Sequence, residues 1–395
     1  MRIGFDVSQT GADRAGCGVV ADNLIRHLPG RRPDDTFILY PTWGDLYWDD
    51  HWARDTACPD LPNVRRGFHH TALEAARTFW RRPPADLDAV LGDPDIVHSN
   101  NFFCPAGLKR ARLVYFLHDL GFLENPDWTT EHNRTGCFDG VFGAGLHADF
   151  IVANSEFSRH HFLDTFPHYP AERTAVAHLA SRFPAVPAGA PPPPAERLAK
   201  LAGGGFWLAV GTIEPRKNYE GLVRAYARLK AEAPATPPLV IAGKVGWMMP
   251  HFPALLAELG IARDVLPLGY VSEAELVWLY RSCFAVVYPT FWEGFGLPVV
   301  EALGHGVPVI SSNVSSIPEV LGDAGLLIDP HDTDSLVQAM RELATRPGLR
   351  ARLVERARVQ AARFSWQETA RRIGEIYDEV MARPRFAAPV TDTSG

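Results

Sequence analysis

Short apolar runs recur along the chain, separated by longer amphipathic stretches and polar loops. An apolar run bounded by turn residues reads as a strand buried on both faces, and its alternation with helical spacing predicts parallel α/β sheets. In the first half the runs are Ile3 to Val7, Phe37 to Tyr40, Ile96 to His98, Leu113 to Leu117 and Phe150 to Ala153. Pro184 to Pro194 interrupts the pattern with four consecutive prolines, which lack amide donors and suit neither helix nor sheet interior.

The pattern then restarts, with strands expected at Phe206 to Val210, Leu239 to Ala242, Phe284 to Tyr288 and Val307 to Ser311. Asn218 is placed to cap a helix reaching about Ala231. Ser272-Glu273-Ala274-Glu275 is a capping box, and Asp332 can cap the helix near Leu336. Trp366 to Met381 is a final amphipathic helix. The expectation is two doubly wound α/β domains, over 1–183 and 206–365, joined by a Pro-rich linker at 184–205. Ligands are expected in the cleft between them.

A length of 395 residues agrees with two domains, and 46% hydrophobic with 22% charged residues is the balance of a soluble globular protein. A net charge of -7 argues against a nucleic-acid partner. The five cysteines are scattered without a CxxC pair, so neither a zinc site nor a disulfide framework is expected and a reducing cytoplasm fits. Met1 to Val7 reads as a first strand rather than a targeting segment, and no apolar run reaches the roughly 20 residues that span a bilayer. The protein is expected to be cytoplasmic, with peripheral contact at the inner face of a membrane left open. Leu73 to Arg82, with Phe79-Trp80 before Arg81-Arg82, has the make-up of such a contact, but a surface helix stopped by Pro83-Pro84 is the preferred reading. The aromatic group from Trp43 to Trp52 is expected to cover the sheet rather than line an acceptor site.

Three loops that follow strands carry candidate chemistry. In Gly211 to Asn218, the adjacent Arg216 and Lys217 sit at a strand-to-helix turn, where a fork and a point charge suit a diphosphate. In Phe291 to Glu301, Gly294 and Gly296 permit close backbone approach, and Pro298 suits a first helical turn. The amides of Gly294, Phe295 and Gly296 would then face an anion. Glu293 and Glu301, beside such a site, are best used to accept hydrogen bonds from paired hydroxyls of a sugar and a ribose. The third loop, Gly11 to Gly18, is Gly-rich but is not the dinucleotide fingerprint.

These residues together resemble family 4 of the retaining glycosyltransferases, and the pattern is nearest to bacterial mannosyltransferases and rhamnosyltransferases. The resemblance rests on E-x7-E, here Glu293 and Glu301 around Gly-Phe-Gly-Leu-Pro. The order of the Gly loop, His118-Asp119, Asn154-Ser155, Gly211 to Asn218 and Ser315-Ser316-Ile317-Pro318-Glu319 supports it. It implies two facing Rossmann-like domains, the GT-B architecture, with the final helix at about 366–385 packing back on the first domain. It also implies a nucleotide-diphosphate sugar as donor and a glycan or lipid-linked glycan as acceptor.

By the same resemblance, Glu293 would hold the transferred sugar, with the amides of Phe295, Gly296 and Leu297 meeting sugar or phosphate. Glu301 would take the ribose, Arg216 and Lys217 the diphosphate, and His118 would lie near the anomeric carbon. Gly16 and Gly18 would bring backbone close to phosphate, and base recognition would fall at Gly269-Tyr270-Val271. One departure is Thr212, where many relatives carry Arg after the glycine.

No metal or cofactor is expected to be required. Asp93-Pro94-Asp95 matches D-x-D but leads directly into a strand. The resulting expectation is a retaining hexosyltransferase in polysaccharide or lipopolysaccharide biosynthesis, with GDP-mannose as first choice. UDP- or dTDP-sugars (glucosyl, rhamnosyl) and an epimerase of the same architecture are the alternatives. A phosphorylase lacks a persuasive Schiff-base lysine, a non-catalytic binder would not need both glutamates and both cations, and a nicotinamide enzyme lacks its fingerprint.

Overall fold

The computed structural model describes residues 1–11, 14, 16–44, 51–183, 196–203 and 205–387. Most of the Pro-rich stretch lies outside them, as do residues 45–50 of the aromatic group and residues 12, 13 and 15 of the first Gly-rich loop. The described chain forms two compact units. One holds Met1–Glu124, Glu131–Leu179 and the residues from Ser365 onward; the other holds Asn125–Thr130 and Ala180–Phe364.

The first unit is built on a seven-stranded sheet with strands β1 (Arg2–Asp6), β2 (Thr36–Tyr40), β3 (Val64–Arg66), β4 (Ile96–Ser99), β5 (Arg112–Leu117), β6 (Phe150–Ala153) and β7 (Thr174–Val176). Their order is β3-β2-β1-β4-β5-β6-β7, and every pairing is parallel. The second unit has a six-stranded sheet of β8 (Trp207–Val210), β9 (Leu239–Ala242), β10 (Val265–Gly269), β11 (Ala285–Tyr288), β12 (Val309–Ser312) and β13 (Gly325–Ile328). Its order is β10-β9-β8-β11-β12-β13, again parallel throughout. Strand order reverses between β1 and β4 in one sheet and between β8 and β11 in the other. Loops leaving those strands open apart at these reversals, which is where doubly wound sheets bind ligands. Both units therefore have the Rossmann-like parallel α/β fold.

The nine apolar runs read from the sequence all appear as strands, with ends shifted by one or two residues. The remaining four, β3, β7, β10 and β13, are the four sheet edges. Interior strands such as β4, β6, β8 and β9 are buried along their whole length, whereas β3, β10 and β13 each keep exposed or half-exposed positions. An edge strand has one neighbour and less cover, so it needs no continuous apolar run.

Three expectations change. Leu73–Arg81 is a helix, but Trp80 is buried with Trp43 and Phe103, and Phe79 packs on Phe68 and His70. The aromatic pair that suggested a membrane contact belongs to the core of the first unit. The stretch 196–201, expected in the linker, is a short 3-10 helix with Leu198 and Leu201 buried, and Arg197 forks the Glu275 carboxylate at 2.7 and 2.8 Å. The segment Asn125–Thr130 belongs to the second unit despite its place in the first half of the chain.

The final helix, Trp366–Ala382, packs along Gly16–Arg31 in the first unit. The Tyr377 hydroxyl lies 2.5 Å from His98 Nδ1, and Arg32 pairs with Asp378 at 2.8 Å. Trp43 is fully buried, stacks on Tyr40 and donates to Ser99 Oγ at 3.0 Å, so this member of the aromatic group covers the sheet. Among the described residues no helix is long and apolar enough to cross a membrane.

Candidate active site

The β8/β11 reversal carries a charged cluster. After β8 the chain passes through Gly211 to a 3-10 turn, Pro215–Lys217, and Asn218 then starts the helix Tyr219–Glu232. Asn218 is left-handed (φ 54°) and its side chain accepts the Gly221 amide at 3.2 Å, a cap that asparagine tolerates better than most residues. This geometry directs Arg216 and Lys217 toward the loop after β11. Lys217 Nζ donates to the Tyr288 hydroxyl at 2.5 Å and pairs with Glu293 Oε1. Arg216 donates to the Trp292 carbonyl at 2.7 Å and the Glu214 carboxylate at 2.9 Å, and lies 3.1 Å from Glu293 Oε1.

Tyr288 and Thr290 also donate to Glu293 Oε1, at 2.8 and 3.1 Å. The Glu293 amide donates to Ser315 Oγ at 3.0 Å, and Ser316 Oγ donates to the Glu293 carbonyl at 2.9 Å. Burial alone would push the Glu293 carboxyl up, but Lys217 and Arg216 overcome it and hold it down at about 2. Burial, with Arg216 beside it, lowers Lys217, and Glu293 opposes this. The cations expected for a diphosphate and the carboxylate expected for a sugar are thus one cluster. Its described side-chain partners all fall on Oε1, which leaves Oε2 as the oxygen suited to an outside donor.

The helix Leu297–Gly304 starts beside this cluster. Gly296 takes the N-cap position with φ 96°, a backbone conformation that favours glycine, and a Cβ there would also press on Ile317 Cδ1 at 2.8 Å. Gly294 and Phe295 are buried, with Phe295 set edge-on to Phe364. Leu297 and Pro298 are half-buried in the first turn.

Glu301 differs from an open hydroxyl acceptor. It is 0% exposed, and it accepts from Arg182 Nε at 2.8 Å on one oxygen and from the Tyr280 hydroxyl at 2.9 Å on the other. Burial raises it above the ordinary glutamate value, with Arg182 opposing. Neither Arg182 nor Tyr280 belongs to a motif read from the sequence, and nothing local signals the pairing of residues 119 positions apart. Tyr288, which ends β11, and Glu214, two residues before Arg216, are also absent from the expected site residues, although Glu214 lies within a loop that the sequence singles out and Tyr288 just precedes another.

In the first unit, the β1/β4 reversal is lined by Asp6, Ser8, Asn100 and Asn101. Asp6 accepts from Ser8 Oγ at 2.6 Å and from the Asn100 amide at 3.2 Å, and burial raises its carboxyl to about 6. His118, just past β5, places Nε2 2.7 Å from the Asn100 carbonyl, and Asn154 Nδ2 donates to the His118 carbonyl at 2.8 Å. Burial lowers the imidazole below the ordinary histidine value. A carbonyl only accepts, so Nε2 carries a proton; with the imidazole lowered by burial, the neutral form near pH 7 leaves Nδ1 as an acceptor. Gly16 opens the helix Gly16–Arg31 with free space around it, while a Cβ on Gly18 would sit 1.9 Å from the Gln9 carbonyl oxygen. Gly18 is therefore required by packing and Gly16 is not.

Tyr270 is 52% exposed, its ring under Lys244 Nζ at 5.1 Å and its carbonyl taken by Arg197 at 3.0 Å; Val271 is half-buried. Asp93 pairs with Arg110 at 2.7 Å, and Asp95 accepts the Arg2 amide at 2.7 Å. Asp332 caps the helix Thr333–Thr345. Among the described residues no group of three or more His, Cys, Asp or Glu is arranged to hold a metal.

Two family models match the chain: Glycosyltransferase Family 4 over residues 14–180 and Glycosyl transferases group 1 over 196–360. The chain is 36% identical over 286 residues to O-antigen chain mannosyltransferase B of Escherichia coli, covering 69% of this chain and 71% of that one. It is 36% identical over 167 residues to the serotype-specific mannosyltransferase WbdA of Escherichia coli, covering 42% of this chain and 20% of that longer one. Among solved structures, sucrose-phosphate synthase from Thermosynechococcus elongatus matches with TM-score 0.72 and 19% identity, over 97% of this chain and 99% of that one. HepE from Anabaena, solved with UDP-glucose, matches with TM-score 0.72 and 18% identity, over 96% and 100%. At such identities the structures carry the fold alone, and the sequence matches carry the family: this chain belongs to the family 4 glycosyltransferases of GT-B fold and is a hexosyltransferase.

Proposed function

We propose that the chain transfers mannose from GDP-mannose, with retention, to a glycan or lipid-linked glycan in polysaccharide biosynthesis. The observation that carries the reading is the Arg216–Lys217–Glu293 cluster at the β8/β11 reversal, beside the helix start at Gly296. On donor binding, the two cations would turn from Glu293 to the diphosphate, and Glu293 would hold sugar hydroxyls. Charge growing on the leaving diphosphate would be offset by the cations and the helix-end amides while the sugar becomes cation-like. The acceptor hydroxyl would attack from the same face, its proton passing to a departing phosphate oxygen.

Two carboxylates acting as acid and nucleophile would need to flank the bond at about 5 Å. Glu301, buried between Arg182 and Tyr280, is not offered for that role. The choice of mannose rests on relatives named mannosyltransferases. UDP-glucose in HepE supports a second reading, a UDP- or dTDP-sugar donor. A cytoplasmic site of action belongs to the same proposal.

Thermal-shift measurements with GDP, UDP, dTDP and ADP should give one clear winner, with GDP expected. No shift with any of them would sink the nucleotide-sugar reading. Donor turnover that needs no acceptor would point to an epimerase instead. Activity that survives EDTA would agree with the metal-free expectation, and its loss would refute it.

A further inference from the structure

The contact between Arg182 and Glu301 assigns a role to a residue outside every motif of the family pattern. Glu301 lies in the helix Leu297–Gly304 and is fully buried. A carboxylate offers about four acceptor positions. One on Oε1 is filled by Arg182 Nε at 2.8 Å and one on Oε2 by the Tyr280 hydroxyl at 2.9 Å, with Arg182 Nη2 only at 3.5 Å from Oε2. Each oxygen therefore keeps capacity for one more donor, and two neighbouring ribose hydroxyls are a matching pair.

The brace itself is held. Arg182 lies over the Phe183 ring at 4.9 Å, and Phe183 packs against Tyr280 and His305. His305 stacks on Tyr280 at 5.5 Å, and its amide donates to the Glu301 carbonyl at 3.2 Å. Arg182 keeps 22% of its side chain exposed, against 1% for Glu301, so it forms the solvent-facing wall of the carboxylate's surroundings.

We propose that Arg182 is a positioning residue of the nucleotide site, orienting and charge-balancing Glu301 so that its remaining lone pairs can receive the ribose hydroxyls of a nucleoside diphosphate. This rests on the reading of Glu301 as the ribose acceptor. A buried carboxylate stripped of its cation tends to take up a proton, and a protonated Glu301 accepts hydrogen bonds less well. The charged and titratable groups around it are Arg182, Tyr280, Glu273 and His305. Glu273 raises Glu301 further, and His305, lowered to about 4 by burial and Arg281, is uncharged near neutrality. Arg182 is thus the cation in contact with this carboxylate.

The test is calorimetric titration of the full chain with GDP and UDP and with their 2′,3′-dideoxy analogues, between pH 6 and 9. For the nucleotide that wild type binds, Arg182→Ala and Arg182→Gln should weaken binding about tenfold or more at pH 7, on the scale of one lost charge-assisted contact. The loss should shrink as pH rises and Glu301 ionises. Arg182→Lys should restore most of the affinity, and the dideoxy analogue should bind all variants alike. Arg182→Gln keeps the side-chain bulk should Arg182→Ala fail to fold, and circular dichroism checks both.

Unchanged binding by folded Arg182→Gln would overturn the proposal, and tighter binding would overturn it and make Arg182 an obstruction to the site instead. If Glu301→Gln weakens the ribonucleotide selectively while Arg182→Gln does not, the ribose reading stands and the Arg182 role alone fails. If wild type binds neither nucleotide, or binds ribose and dideoxy forms equally, the ribose reading fails and takes the proposal with it.

Discussion

The two sheets place loops at the same kind of strand-order reversal and furnish them in opposite ways. At β8/β11 the side chains are charged: Glu214, Arg216, Lys217 and Glu293, joined in one buried ion-pair cluster. At β1/β4, with the neighbouring ends of β5 and β6, they are mostly neutral: Ser8, Asn100, Asn101, Asn154 and an uncharged His118, with two carboxyls, Asp6 and Asp119, and no Lys or Arg among those named. Burying charge costs several kcal/mol per ion unless each finds a partner, so a charged cluster is kept where a reaction needs charge. A network of amides costs less to bury and can hold a ring in one tautomer. The shared fold says where ligands come; under the proposed mechanism, the charged set would meet the leaving group and the more neutral set the hydroxyls.

The sharpest way to break this contrast is Lys217→Ala. It removes one of two cations facing Glu293 and the donor to Tyr288. Under the proposed mechanism, kcat should fall by about 10² to 10³, the scale of one lost electrostatic donor to a developing anion. The donor KM should move less. Removing one partner of a buried ion pair should also cost about 3–5 kcal/mol of stability, visible as a lower Tm. A folded Lys217→Ala enzyme with near-normal kcat would remove the reason to regard the charged half as the charge-handling half.

What the sequence made legible follows the same physics. Interior strands were legible because cover on both faces demands unbroken apolar runs, as in Val286-Val287 of β11 or Ile151-Val152 of β6. Among the edge strands, β3 escaped notice because exposure permits polar positions, as in Val64-Arg65-Arg66, whereas β10 and β13 are short apolar runs interrupted or flanked by Pro267, Gly269 and Gly325. Local chemistry was legible too: Asn218, Ser272 and Asp332 all cap the helices read from them. Partners distant along the chain were not. Arg182 reaches Glu301 only through the fold, and Trp128 stacks parallel to Phe291 at 6.2 Å from a segment in the other half of the chain. Phe79-Trp80 left two readings open because an amphipathic helix reads the same whether its apolar face meets lipid or, as Trp80 does here, Trp43.

The neutral half can be sharpened through pH. Burial lowers His118, so the imidazole stays uncharged below its ordinary value and protonates only at lower pH. Any acid limb of kcat/KM that belongs to His118 should therefore lie below pH 6.5, and His118→Gln should abolish it. That variant should lose about tenfold to 10²-fold in kcat, at or below the lower end of acid–base contributions and less than Lys217→Ala. Asp6, held near 6 by burial, can add a second limb that His118→Gln leaves in place. A His118-dependent limb above pH 6.5 would mean a charged neighbour stabilises the imidazolium, and the neutral character of this half would be wrong.

The smallest effects separate two glycines in one turn of the first helix. Gly18→Ala forces a methyl to within 1.9 Å of the Gln9 carbonyl oxygen, and backbone there must move. The cost should be about 1–3 kcal/mol, as for other overpacked sites, with Tm falling accordingly. Gly16→Ala meets nothing within 4 Å, and fewer unfolded conformations should make it neutral or stabilising by about 0.4–1 kcal/mol. Activity then carries the information that stability does not. If Gly16 brings backbone against a phosphate, Gly16→Ala should raise the donor KM a few-fold with an unchanged or higher Tm. If KM is also unchanged, the turn serves the packing of Gly18 alone, and phosphate recognition rests with Arg216, Lys217 and the helix start at Gly296.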